Sequence, residues 1–360
     1  MMNDRWIRSP ADPLLDELCS RLEADADQLD ALGHWPSEQL AWCAAAGVWS
    51  WFIPKRWGGQ EWTDRDLLAA YLKLGQACLT TTFITTQWSA AAKRIVAGGN
   101  EQLRAALAPR LIDGSLFTTV GISHLTTSRR HLAKPVLAAR DEPDAYVLDG
   151  FSPWVTGGAH AHVLVTGATL PDQSQVLLAV RTDLPGVQAG EPLRLVGLSA
   201  SATGPVHFRN VHVPKNDLLA GPVDNVMQLA AGSSTGGLQT STLALASATA
   251  SIELIETEAQ FRDDLRGPVR ELRDERTRLA DDLLRTAAGE ATCTSDELRT
   301  RANSLVLRAS QAAMAAAKGT GYVHGHRAGR LCREALFFLV WSCPQPVVLA
   351  NLCELAGLSD

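Results

Sequence analysis

The stretch Gly150-Phe-Ser-Pro-Trp-Val-Thr-Gly-Gly-Ala-His-Ala161 sits near the middle of a 360-residue chain. Within it, Trp154 and Thr156 are two residues apart. In an extended chain that spacing turns both side chains to one face. One sheet face would then present a flat π-surface beside a hydroxyl, which suits a flat ring with polar edges, such as a flavin. The same two residues would also serve as a buried Trp with a Thr beside it in a sandwich core, and the spacing alone leaves both readings open.

Other side chains offer weaker chemistry. His160 and His162, His207 with His212, and His324 and His326 could each present paired imidazoles. No Cys or carboxylate cluster with ligand spacing accompanies them, so no metal site is expected. There is no G-x-S-x-G elbow for a serine nucleophile. Cys343, between Ser342 and Pro344, reads as a core residue in an apolar run. Gly232-Ser-Ser-Thr-Gly-Gly237 lacks the lysine and the preceding strand of a phosphate-binding loop, and reads as the start of a helix. A Rossmann G-x-G-x-x-G is absent.

The elements that must position these residues fall into three blocks, giving an α+β fold class. Residues 1–113 read as an N-terminal helical domain. Leu15, Leu18, Leu22 and Leu29 recur at helical spacing behind Asp12-Pro13. Ser37, Thr63 and Asn100 stand as caps, and the helix from Thr80 stays almost uncharged until Lys93-Arg94. Residues 114–217 read as a central antiparallel β domain, a sandwich or barrel, with strands at 115–123, 135–140, 145–151, 162–168, 176–181 and 205–213. Residues 218–360 read as a C-terminal four-helix bundle, 238–261, 262–282, 295–318 and 328–342, with an extra helix at 347–356.

Composition excludes several function classes. A net charge of −6 argues against general nucleic-acid binding. The longest apolar runs are too short for a membrane span, and the N-terminus lacks a signal-peptide core. Seven scattered cysteines without a C-x-x-C pair suggest reduced thiols and a cytoplasmic setting. Six of the ten tryptophans fall between Trp35 and Trp62, so one local region is packed around indoles.

The order helical, β, helical bundle resembles the acyl-CoA dehydrogenase family of flavoproteins, and local motifs agree. Ile53-Pro-Lys-Arg-Trp-Gly-Gly59 resembles I-P-x-x-x-G-G. Gly98-Gly-Asn-Glu-Gln102 with Ala108-Pro109 and Asp113-Gly114 resembles G-[ST]-x-x-Q…L-P…x-G. The central stretch resembles G-x-K-x-W-I-T-N-G, and Arg330-Leu-Cys-Arg-Glu-Ala335 resembles R-x-x-R-D-A. The resemblance implies FAD, with FMN or reduced flavin as lesser options. It places Trp154 and Thr156 against the isoalloxazine and puts Gly121, Ser123 and Ser128 in the loop that holds the pyrimidine edge and pyrophosphate. It also sets Arg262 on the diphosphate of a neighbouring subunit. A homodimer or homotetramer and a small-molecule substrate, such as a CoA thioester, follow from the same resemblance.

The chain departs from the family pattern where the chemistry is done. The position of the family's proton-abstracting glutamate, counted from Arg333, falls on Ser342. The alternative position on a bundle helix falls on Gly236, beside Gly237, where a substrate-orienting Arg often stands. The flavin-binding Gln falls on Ala315 and the T-E-P acid on Ser123. An unassisted hydroxyl is far too weak a base to replace a carboxylate at neutral pH. The catalytic base is therefore not identified; Glu334 and His326 are close in sequence. The readings carried forward are a flavoprotein oxidoreductase acting on an acyl-CoA or related small substrate, a reduced-flavin-dependent monooxygenase or oxidase on the same fold, and a non-catalytic homologue serving as a partner subunit.

Overall fold

A computed structural model describes residues 5–126, 135–229, 236–290 and 292–358. Five helices open the chain: α1 (Pro13–Leu32), α2 (Ser37–Ala45), α3 (Asp64–Ala77), α4 (Leu79–Ala97) and α5 (Glu101–Ile112). Asp12 caps α1 by accepting from the Leu14 amide, and Gly33 closes it in the left-handed region. Thr63 accepts from the Asp66 amide and Asn100 from that of Leu103, as expected of caps. Ser37 differs: it is the first helical residue of α2, behind Pro36, and caps nothing. The tryptophan-rich segment packs as expected, with Trp51 stacked on Trp62 at 4.2 Å and Trp49 against Trp88 at 4.5 Å.

The middle of the chain is one eight-stranded sheet with a short helix, α6 (Ser123–Thr126). Its strands are β1 (Thr118–Gly121), β2 (Leu137–Asp141), β3 (Ala145–Val155), β4 (Val163–Thr169), β5 (Gln175–Arg181), β6 (Val187–Ala189), β7 (Gly204–Pro214) and β8 (Leu218–Val223). The order is β6-β7-β3-β2-β4-β5-β8, with β1 paired to β4. Most pairings are antiparallel, but β1 runs parallel to β4, and β2 meets β4 in parallel at Ala138 and Thr169, so the sheet is mixed. The inward residues of β2 to β5 and β7, including Leu148, Val155, Val180 and Phe208, close into one core. Two strands, β6 and β8, are additional to the expected set, and β8 lies past residue 217. The strand expected at 145–151 does not end there. Gly150 sits inside β3 at a bulge, where pairing steps from Leu148–Val211 to Gly150–Phe208, and the strand continues through Trp154.

The last third is helical: α7 (Val226–Leu229), α8 (Gly236–Ala259), α9 (Arg266–Ala287), α10 (Ser295–Gly321), α11 (Arg327–Ala335) and α12 (Gln345–Leu355). Helix α8 packs against α9, α10, α11 and also α3, so the N-terminal and C-terminal helices share one hydrophobic core. The expected helix at 328–342 stops at Ala335 and tightens into a 3-10 turn. Side chains of α10 explain the stop. Arg299 donates to the carbonyls of Phe338 (3.1 Å) and Trp341 (2.9 Å), and Asn303 donates to Phe338 (3.0 Å), in place of helical amides. Among the described residues, no helix is long and apolar enough to cross a membrane.

The bulge at Gly150 can be tested directly. Its φ is +131°, and an added Cβ would stand 2.2 Å from the Val136 carbonyl oxygen. Gly150→Ala should destabilise the protein by about 2 kcal/mol or more, whereas Gly99→Ala, with open space around it, should change it by at most about 0.5 kcal/mol. Thermal unfolding of both variants checks this; equal midpoints would mean that the bulge tolerates a side chain.

Candidate active-site cavity

A cavity of about 830 Å³ lies where α3, α4, the β1–β3 edge, the 195–198 loop and residues 336–342 meet. That size is in the range of small-molecule and cofactor sites. Phe52, Leu68, Phe83, Val120, Leu198 and Phe337 give it a mainly apolar wall. Trp154 and Thr156 both line it, while Val155 between them is buried in the sheet core. Trp154 is 48% exposed, unusual for so large an apolar side chain, and its indole faces open space rather than packing. The Thr156 hydroxyl is 3.1 Å from that of Thr203, which is 2.8 Å from that of Ser201, forming a chain of buried hydroxyls.

The remaining expected residues divide. Ser123 starts α6 and lines the cavity, and its buried Oγ has no hydrogen-bond partner among the described residues. Ser342 also lines the cavity, with φ of +47°. Gly121 does not line it. A Cβ there would come within 2.6 Å of Ser152 Oγ, so this glycine lets β1 approach β3; its carbonyl accepts from Thr166 Oγ1 at 2.5 Å. Arg262 is away from the cavity, donating to the Ala316 carbonyl at 2.7 Å and pairing with Asp264 at 3.1 Å. Ser128 lies outside the described residues.

Neither neighbouring candidate for a base enters the cavity. Glu334 is buried against Arg330 at 3.3 Å, and His326 caps α11 by accepting from the Ala328 amide. Burial pushes the Cys343 thiol up, against the pull of nearby Arg299, so it is not poised as a nucleophile. His160 stacks on Trp35 at 4.4 Å, and His162 Nδ1 accepts from the Phe117 amide.

The electrostatics of the cavity are one-sided. Among the described residues that line it none is Asp or Glu, whereas Lys93, Arg94 and Arg333 are all part of the wall. Arg333 is paired with Asp30 of α1. Lys93 Nζ is 3.9 Å from Asp64, and burial pulls its pKa below the ordinary lysine value. The Tyr71 hydroxyl, 3.1 Å from Ser89 Oγ, is pushed up by burial and is a neutral group at any physiological pH. Sequence reasoning did not place Lys93, Arg94, Arg333 or Tyr71 at the site. The available signal was two adjacent cations at the end of an otherwise uncharged helix.

A flavin fits what is present: an indole open to the cavity, a hydroxyl beside it, an unpartnered buried Ser123 Oγ and an apolar enclosure. Comparison with known proteins agrees. Residues 14–115 match the family model "Acyl-CoA dehydrogenase, N-terminal domain". A probable acyl-CoA dehydrogenase of Bacillus subtilis is 24% identical over 332 residues, covering 86% of this chain and 87% of its own. A cyclohex-1-ene-1-carbonyl-CoA dehydrogenase of Geobacter metallireducens is 22% identical, covering 90% of both chains. The structure of a glutaryl-CoA dehydrogenase from Mycobacterium smegmatis in complex with FADH2 superposes with a TM-score of 0.78 at 18% identity, covering 97% of this chain and 96% of that one. Residues 14–115 thus carry an acyl-CoA dehydrogenase N-terminal domain, and across the whole chain the fold and motif order are similar to those of acyl-CoA dehydrogenases.

Proposed function

We propose that the protein is an FAD-binding oxidoreductase of the acyl-CoA dehydrogenase type, acting on an acyl-CoA or a related small organic substrate. The observation that carries this reading is the cavity itself, where Trp154, Thr156, Ser123 and Ser342 converge from three separate parts of the chain. When bound, the flavin supplies the electron-accepting centre. The chain's own contribution is positional. Trp154 covers one ring face, and the Thr156 hydroxyl, linked to Thr203 and Ser201, offers a fixed donor at the ring edge. The apolar walls keep water from the reacting atoms. Ser123 and, from its family position, Ser128 hold the rest of the cofactor. A homo-oligomer in which Arg262 reaches the neighbouring subunit's diphosphate, and a cytoplasmic location, belong to the same proposal.

A second reading, a reduced-flavin-dependent monooxygenase or oxidase, is favoured by one observation. Dehydrogenation α to a thioester needs a base, and among the described residues no carboxylate lines this cavity. Ser342 occupies a place in the wall but cannot take a proton at neutral pH. Oxygen chemistry in a dry pocket makes no such demand.

Two experiments test these readings. Trp154→Ala should weaken FAD binding about ten-fold, the scale expected for a stacked aromatic face, in a fluorescence titration; unchanged affinity would mean the ring lies elsewhere, and a protein that binds no added flavin at all would remove both readings. Ser342→Glu should raise the rate at which a saturated acyl-CoA bleaches bound flavin under anaerobic conditions, and an unaltered protein that is not bleached at all would support the second reading over the first. If the unaltered protein is reduced at an ordinary enzymatic rate, of order 1–1000 per second, a base operates from some other position.

A further inference from the structure

Lys93 and Arg94 stand side by side near the end of α4, and both line the cavity. Arg94 is only 8% exposed. Its Nη1 donates to the Ala90 carbonyl one turn back at 2.8 Å, and its buried Nε has no partner among the described residues. It forms no ion pair there either, and the pairing of Lys93 with Asp64 is long, at 3.9 Å. A guanidinium taken out of water with a donor unfilled is costly to keep. Its planar fork suits the two oxygens of a carboxylate.

We propose that this part of the cavity is an anion subsite, in which Arg94, with Lys93 beside it, binds a carboxylate carried on the acyl part of the substrate. The proposal rests on the preceding reading for the thioester and names the substrate class within it. Among the described residues the cavity wall carries no acid, and the one carboxylate paired with either cation, Asp64, is 3.9 Å from Lys93 and outside that wall. The positions expected to meet the flavin diphosphate, Ser128 and Arg262, are not on α4.

Succinyl-CoA and butyryl-CoA have four-carbon acyl groups that differ in ending in a carboxylate or a methyl. Calorimetric titration of the flavin-loaded protein should show succinyl-CoA binding about ten-fold or more tighter, the scale of a hydrogen bond to a charged group. Arg94→Met should abolish that preference while leaving butyryl-CoA and FAD affinities unchanged. Arg94→Lys should retain part of the preference, and it decides the matter if the Met variant does not fold. Equal affinities in the unaltered protein, or a preference that survives Arg94→Met, would overturn the proposal. Equal weakening of both thioesters, or loss of FAD affinity, would assign the arginine to a phosphate of CoA or of the flavin and also overturn it. Free succinate provides a readout independent of the thioester. It should raise the unfolding midpoint of the unaltered protein and not that of Arg94→Met. If neither thioester binds, the thioester reading fails, and the succinate shift alone then upholds or overturns the subsite.

Discussion

Arg330 is where the two ends of the chain close on each other. Its side chain is 4% exposed. Nε donates to Asp27 of α1 at 2.7 Å, and Nη1 faces Glu334, one turn along α11, at 3.3 Å. Arg333 repeats the contact three residues later with Asp30, three residues after Asp27. Two arginines on one helix stripe thus meet two aspartates on another, across a sequence separation of 303 residues. Burial works against the Arg330 charge, and Glu334 and Asp27 more than offset it, so it remains a cation. Removing one partner from a buried pair of this kind costs about 3–5 kcal/mol.

That clamp matters because the segment after it is a cavity wall. Helix α11 leads into Leu336, Phe337, Val340, Trp341 and Ser342, and Arg299 and Asn303 of α10 hold that segment by its carbonyls. The opposite wall comes from α4 and from the edge of the sheet. Apolar residues of the protein bury in two groups, one among the helices and one inside the curled sheet. The cavity lies at their seam, where neither group fills the space. Trp154 stands on that seam and is packed into neither core.

Much of this was legible in the chain. Caps at Asp12, Thr63 and Asn100 are local events, governed by side chains within three residues of the amides they satisfy. The order of helical and β segments follows from periodicity, and the Trp154–Thr156 pair from the two-residue repeat of an extended strand. Misreadings came where local signals compete with distant ones. The strand at 145–151 reads as ending there, but it passes a bulge at Gly150 and runs on, because the partner strand β7 supplies the pairing that carries β3 onward. Residues 336–342 read as helix, but donors from α10 capture their carbonyls.

The sequence by itself determined the family resemblance and the order of helical and β blocks, and it singled out two residues suited to a flat ring. It also showed that Ser342 stands at the usual place of a catalytic carboxylate. Only the tertiary structure decided the character of the space opposite them. Lys93, Arg94 and Arg333 come from helices more than 200 residues apart, and no periodicity in either helix says that they share one cavity. Glu334 is close to Ser342 in sequence, yet its carboxylate is spent on Arg330 in the helical core. Charge in an active site depends on which side chains fold inward together, and that is a property of packing across the chain rather than of spacing along it.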